Sequence, residues 1–470
     1  MGVAGTETLE SPVHGDELDL LTGAESEFLA ERLRNDETSG SIDGSSHGRN
    51  IHWSGQQGVT FVTKMARFLG GALLVALVLG LASPGGAKPL GLLGIEQDGA
   101  RPVALWTYDP STLERLSGNI PLAGHGRAWS FSPDRSRIAL ASAWSPTLDR
   151  PTSLRLLEMT HSSMRVLGDI RLAGETASIR ATAWVRPDRL LVLLQGNVRE
   201  GFRLLAIDAR RLRVVGQRKL AKRSWVLSGE RTPSGFVLLL ANRNRIGTAT
   251  LATVDARLRM RMARLSQITA GSKHVQIGND VEGTFRTPGL AVDRLGGRAF
   301  VVSEGQPVAE IALPTMRVRY HRVAARLPQA RTKGRSEGTE ANAEWLGNGL
   351  LAVAGSSYSL ERDNATPTGL RLIDTGTWTE RLVDDKAGSF FVAGSTLITR
   401  VDARLVGYSI LGIQSFALQG PTGWIQTAGE RLYVGARGNR VTTIVDGATG
   451  TMVGSFRGDV PRLLGDSDSF

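Results

Sequence analysis

Five aspartates recur through this 470-residue chain in nearly the same setting. Asp109, Asp208, Asp255, Asp374 and Asp446 each end an apolar run and precede a short turn and a second, more basic run. Repeated carboxylates invite two chemistries, metal ligation and general acid–base catalysis. The setting favours neither. An acid at a fixed hairpin position, once per repeat, is placed to accept hydrogen bonds from the backbone N–H groups of its own turn. Histidine gives no stronger lead: three of the seven precede residue 65, and His125, His161, His274 and His321 lie far apart in sequence. Cysteine is absent, which removes thiolate catalysis, disulfides, cysteine-bound zinc and a lipidated N-terminal cysteine. No G-x-S-x-G elbow, H-E-x-x-H pair or phosphate-cradling loop occurs after residue 88. The sequence therefore assigns no catalytic, cofactor-binding or metal-ligating residue.

The elements that position the aspartates are strands. From about residue 90, short apolar runs alternate with turn residues and helical spacing is nearly missing. One unit recurs as strand, acid, turn and basic strand. Its copies are "WTYDPSTLERLSG" at 106, "LLAIDARRLRVVG" at 204, "LATVDARLRMRMA" at 251, "RLIDTGTWTERLV" at 371 and "TTIVDGATGTMVG" at 442. Weaker copies are "RLLEMTHSSMRVLG" at 155, "EIALPTMRVRY" at 310 and "VGYSILGIQSFAL" at 406. A turn leading into a strongly apolar strand precedes each unit, as in "FSPDRSRIALAS" at 131 and "VRPDRLLVLLQG" at 185. Four strands in every 45–55 residues or so, repeated, are the pattern of an all-β propeller. Seven or eight hairpins predict seven or eight blades. Residues 89 to 122 hold only two or three strands, so they are expected to pair with residues beyond Gly454 and close the ring.

The stretch "GHGRAWSFSPDRSRIALAS" resembles the Gly-His to Ser-Pro-Asp segment of WD-repeat and TolB-like propellers. The "VD-x-x-x" hairpins resemble those of quinoprotein-like and surface-antigen propellers. The resemblance covers about residues 89 to 470. It implies the fold, and it implies that His125 orders a blade turn. No blade closes with Trp-Asp, and neither the tryptophan docking ring of quinone enzymes nor the Asp-box of sialidases is present. The resemblance supplies no cofactor and no active site.

Trp129, Trp184, Trp225, Trp345 and Trp424 fall at or near the innermost strands of successive units, where large rings would fill the wedge between sheets; some could instead form a stacking platform at the channel mouth. The polar stretch "AARLPQARTKGRSEGTEANAE", residues 324 to 344, reads as a long loop and a candidate contact region.

Two segments precede the propeller. Phe68 to Ala82 is an unbroken run of fifteen apolar and Gly residues. That is short for a bilayer-spanning helix of about 20 and within the roughly 7–15 of a signal-peptide core. Residues 65–88 are therefore expected to be a signal peptide, cleaved after Ala82 or Ala87, or an uncleaved membrane anchor. Residues 1–64 hold eleven of the 45 acidic and four of the 56 basic residues. They are expected to be mostly disordered, apart from a short helix at "GAESEFLAERLRN". They are either a cytoplasmic tail or an over-extended translation ahead of Met65.

The chain from Met65 onward carries 52 Lys and Arg against 34 Asp and Glu, a surplus of 18. Positive charge outside a cell favours contact with anionic wall polymers or lipid headgroups, and no nucleic-acid-binding module is present. The reading is an exported binding or scaffold propeller of the cell envelope for a protein, glycan or anionic wall polymer, touching membrane only through residues 68–82. The alternative is a propeller hydrolase or lyase with a site at the central channel. Three or more acids or histidines converging on one channel mouth would indicate the enzyme; apolar and arginine side chains there would indicate binding.

Overall fold

A computed structural model describes residues 91–98, 101–142, 152–160, 163–172, 177–196, 201–277, 280–323, 337–359, 364–419, 424–435, 441–458 and 461–465. These contain strands and turns and no α-helix, and no helix among them is long and apolar enough to cross a membrane. The helices expected over 68–82 and at "GAESEFLAERLRN" lie outside the described residues.

The chain runs as successive antiparallel meanders. β1 (Leu92–Asp98), β2 (Arg101–Tyr108) and β3 (Arg115–Pro121) come first, followed by β4 (His125–Phe131), β5 (Arg137–Ser142), β6 (Ser153–Met159) and β7 (Met164–Arg171). Next come β8 (Ser178–Arg186), β9 (Arg189–Gln195), β10 (Phe202–Asp208) and β11 (Arg213–Lys219). β12 (Ser224–Thr232), β13 (Gly235–Asn242), β14 (Gly247–Asp255) and the long β15 (Met260–Ile277) lead into β16 (Asp280–Thr287). β17 (Gly289–Asp293), β18 (Arg298–Val302), β19 (Val308–Ala312) and β20 (Arg317–His321) form one meander. β21 (Glu337–Gly347), β22 (Leu350–Ser359), β23 (Asn364–Pro367), β24 (Leu370–Asp374) and β25 (Thr379–Asp384) form another. β26 (Phe390–Ala393), β27 (Thr396–Val401), β28 (Arg404–Ser409) and β29 (Gln414–Gln419) precede β30 (Trp424–Ala428), β31 (Arg431–Gly435), β32 (Val441–Asp446), β33 (Met452–Arg457) and β34 (Arg462–Leu463).

Innermost strands pack on one another from meander to meander, as β4 on β8, β8 on β12, β12 on β17, β17 on β21, β26 on β30 and β30 on β34. Middle strands are buried, as in β9 and β13, while outer strands such as β3 and β11 are largely exposed. Each apolar cluster draws on two neighbouring meanders. Leu193, Phe202, Phe236 and Leu238 join the meanders begun by β8 and β12. Tyr433 and Ile444 meet Tyr108, Leu113 and Leu463 where the last meets the first. Burial of these wedges, at about 25 cal/mol per Å² of apolar surface, is the main force holding the ring.

The ends close it as expected. β34 pairs with β1, with Gly94 opposite Leu463 and Ile95 opposite Arg462. The resulting sheet has the order β3-β2-β1-β34, so the chain's last strand is innermost. All eight hairpins quoted from the sequence form, including β28–β29 at the weakest copy.

The blade number is a correction. Six four-stranded sheets stand separately as blades, not seven or eight, and the remaining strands are hydrogen-bonded into one ten-stranded sheet. The cause is β15. It runs on past its meander to pair with β16, and Phe285–Thr287 of β16 lie parallel to Gly338–Glu340 of β21. Counting hairpins counts meanders; it does not reveal where two of them fuse. β21 also corrects the expected loop at 324–344, which is strand from Glu337 onward. Residues 324–336 lie outside the described residues.

The recurring aspartates cap their own turns. Asp109 accepts from the N–H groups of Ser111 and Thr112 at 2.7 and 2.9 Å, and Asp374 from Gly376 and Thr377 at 2.8 and 2.9 Å. Asp208, Asp255 and Asp446 do the same in their turns. Backbone N–H donors hold the carboxyls of Asp109, Asp208, Asp374 and Asp446 below the ordinary aspartate value. A carboxyl with a depressed folded pKa contributes stability above its unfolded value of about 4 and loses it as pH falls through the folded one. The melting temperature of the wild type is expected to fall from about pH 4 downward. Replacing these four with Asn, which still accepts the turn N–H groups, should flatten that fall. Equal slopes in thermal melts between pH 6 and 2.5 would show that the turns carry no such linkage.

Candidate functional site

Among the described residues, no three acidic or histidine side chains are grouped to hold a metal ion. His125 is buried, its Nδ1 2.8 Å from the Leu122 carbonyl and its Nε2 2.9 Å from Ser153 Oγ. The carbonyl can only accept, so Nδ1 carries the proton and Nε2 accepts from the serine hydroxyl. This histidine orders the approach to β4, as the resemblance implied. His321 pairs with Glu310 at 2.9 Å and stacks on Trp378 with ring centroids 3.5 Å apart. His161 lies outside the described residues, and His274 is on β15, remote in sequence from both. Among the described residues, no three of the histidines and acids are gathered.

The five tryptophans stand on innermost strands, β4, β8, β12, β21 and β30. Trp184 is buried and donates Nε1–H to Ser130 O at 3.0 Å. Trp345 stacks on Phe300 with centroids 5.2 Å apart. Both fill the wedge between sheets. Trp129 donates to Gly465 O at 3.1 Å and carries the Arg462 guanidinium over its ring at 4.8 Å, which ties the C-terminal strand to β4.

That contact opens onto a feature that the residue pattern alone did not disclose. Arg462 begins β34, and Arg127 and Arg180 are each the third residue of an innermost strand, β4 and β8. All three therefore sit near one rim of the axis, the upper rim, where innermost strands start. Local backbone aims two of them. β4 breaks register between His125 and Trp129, and β8 between Ile179 and Ala181, leaving Arg180 without a cross-strand partner. Such bulges turn a side chain out of the ladder. Gly126 makes the first possible: its φ is +137°, and a Cβ there would lie 2.7 Å from Ile95 Cδ1.

Among the described residues, none of the three arginines has a carboxylate partner. Burial, and then the charge of Arg127, hold Arg180 and Arg462 below the ordinary arginine value. Arg180 is nevertheless accessible to solvent. Desolvation does not discharge a guanidinium. The result is a cluster of positive charge near one rim, suited to bidentate hydrogen bonding of an oxyanion. Arg231 of β12 differs. It donates to Thr182 O at 2.7 Å and Trp129 O at 2.9 Å, so it pins three innermost strands together.

A signal for the cluster was present. In "GHGRAW" and "SIRATAW" one arginine interrupts an otherwise apolar or small-residue strand just before a wedge tryptophan. Arg462 has no such mark, because nothing local shows that "PRLLG" returns to the first sheet.

No protein-family model matches the chain, and no curated protein does. Among solved structures it is similar to the dihydro-heme d1 dehydrogenase NirN, with 13% identity over 82% of this chain and 76% of that one, at a TM-score of 0.51. It is also similar to AztD from Citrobacter koseri, with 12% identity over 80% and 96% and a TM-score of 0.43. BamB from Moraxella catarrhalis aligns with 13% identity over 72% and 94% and a TM-score of 0.39. At such identities the likeness shows the fold alone. That fold is a β-propeller.

Proposed function

We propose that this propeller is an exported binding module of the cell envelope, whose upper channel mouth takes an anionic group of its partner. The observation that carries the reading is the set of three arginines, Arg127, Arg180 and Arg462, at one rim without carboxylate partners among the described residues. Like charges held near one another at one rim repel, and a ligand of opposite charge relieves that repulsion. Arginines at this rim favour binding over a channel-centred hydrolase or lyase. A protein, glycan or wall polymer could each present the anion. Export rests on the apolar run 68–82, its preceding Arg67 and the small residues that come after it.

Two measurements test this. The full chain is expected to bind long-chain polyphosphate or poly-L-glutamate and not neutral dextran, and to lose affinity between 50 and 500 mM salt as screening shortens to a few Å. Equal binding to dextran would remove the anionic reading. N-terminal sequencing of the protein from an envelope fraction should give a start near Ser83 or Lys88; an intact chain beginning at Met1 in the cytosol would overturn export.

A further inference from the structure

The positive charge at the upper rim does not stop at the channel mouth. Lys222 and Arg223 immediately precede β12, the innermost strand after β8, and reach the same rim by the same logic of chain direction. There they join Asn242, Arg243, Asn244 and Arg245 to line a cavity of about 330 Å³. Its walls are stitched together. Arg243 N donates to Arg223 O at 2.9 Å, Ser224 N donates to Ala221 O at 2.8 Å, and the Arg243 guanidinium lies 5.3 Å from the Trp225 ring centroid. Asn244 turns the chain at φ +58°. Among the described residues, no carboxylate lines the cavity. Four cations and two amides line it, from two separate chain segments.

Four consecutive innermost strands, β34, β4, β8 and β12, thus bring basic side chains to one rim. The first three supply the channel-mouth cluster, and the fourth supplies the wall of the outer cavity. We infer that the ligand is a linear phosphate-bearing polyanion, one phosphate held by Arg127, Arg180 and Arg462 and another, further along the same chain, by Lys222, Arg223 and Arg245. This deepens the binding reading above and rests on it. A compact anion could fill one group and leave the other. Phosphate is favoured over carboxylate because donors converge from a lysine, arginines and asparagine amides, more directions than a planar two-oxygen acceptor serves and a match to a tetrahedral one.

Binding of the full-length protein to triphosphate, to polyphosphate of about 45 units and to oligoglutamate of about 45 residues decides it, at fixed salt. The expected result is that the long polyphosphate binds roughly 10²-fold more tightly than triphosphate, the gain of two linked sites. The variant K222Q/R223Q/R245Q, checked to melt at the wild-type temperature, should bring the long chain down to the affinity of triphosphate. Equal affinity for long and short phosphates in the wild type would overturn the two-site track while leaving the anion-binding mouth intact. Oligoglutamate binding as tightly as long polyphosphate would overturn the phosphate assignment. Binding of none of the three would remove both this inference and the reading beneath it.

Discussion

Deletion of Arg457 to Phe470 is expected to unfold the propeller at temperatures where the intact chain is native. Those residues include β34, which completes the first sheet from the inside. Leu463 and Leu464 are each only 4% exposed, and each sits in a different wedge, one between the last and first sheets and one between the first and second. Emptying a buried leucine site costs about 2–5 kcal/mol, so two such losses approach the whole stability of a typical domain, about 5–15 kcal/mol. Polar ties go as well: Leu463 N to Gln426 Oε1 at 2.8 Å, Leu464 N to Leu93 O at 2.8 Å and Trp129 Nε1 to Gly465 O. β1 would then present an open edge to the axis, an invitation to aggregation. Deleting Met1 to Lys64 should leave the melt unchanged, since that composition offers little apolar surface to bury. Circular dichroism melts of the two truncations compare them directly. A C-terminal truncation melting with the wild type would show that the ring does not depend on β34.

That closure was legible in the sequence because it comes from counting. A first meander lacking a strand and a chain running past its last full repeat leave one economical solution. The turn aspartates were legible for a similar reason, since a short side chain at a fixed turn position has its partners within three residues. The fusion through β15 and β16 was not. Its defining contact sets Phe285 opposite Gly338, 53 positions apart, and neither residue departs from an ordinary strand pattern. The arginine cluster failed to appear for the same physical reason. Each member is one cation in its own repeat, and only the ring topology shows that β34, β4 and β8 begin at one rim. Charge summed over the chain pointed to an anionic partner; it could not say which of some fifty cations converge.

The same cluster sets stability against binding, and this separates it from an ordinary structural network. Arg180 and Arg462 are held below the ordinary arginine value by burial and by Arg127. A base with a lowered folded pKa is one whose charged form the fold disfavours, so at every working pH below that value the charge subtracts from stability. The double variant R127Q/R180Q, which leaves the contact of Arg462 with Trp129 in place, is therefore expected to melt no lower than the wild type, and higher if glutamine packs as well, while its affinity for polyphosphate falls at least about tenfold. Arg231 provides the opposite case. Its guanidinium bonds to the carbonyls of Thr182 and Trp129, and Arg231→Gln would strand acceptors at about 1–3 kcal/mol each, lowering the melting temperature. Thermal melts of both variants, run beside titrations with polyphosphate, distinguish the two roles. If the double variant loses stability as Arg231→Gln does, these arginines hold the ring together and the channel mouth is not a binding site. If it keeps its stability and loses the polyanion, the charge stands there for a ligand.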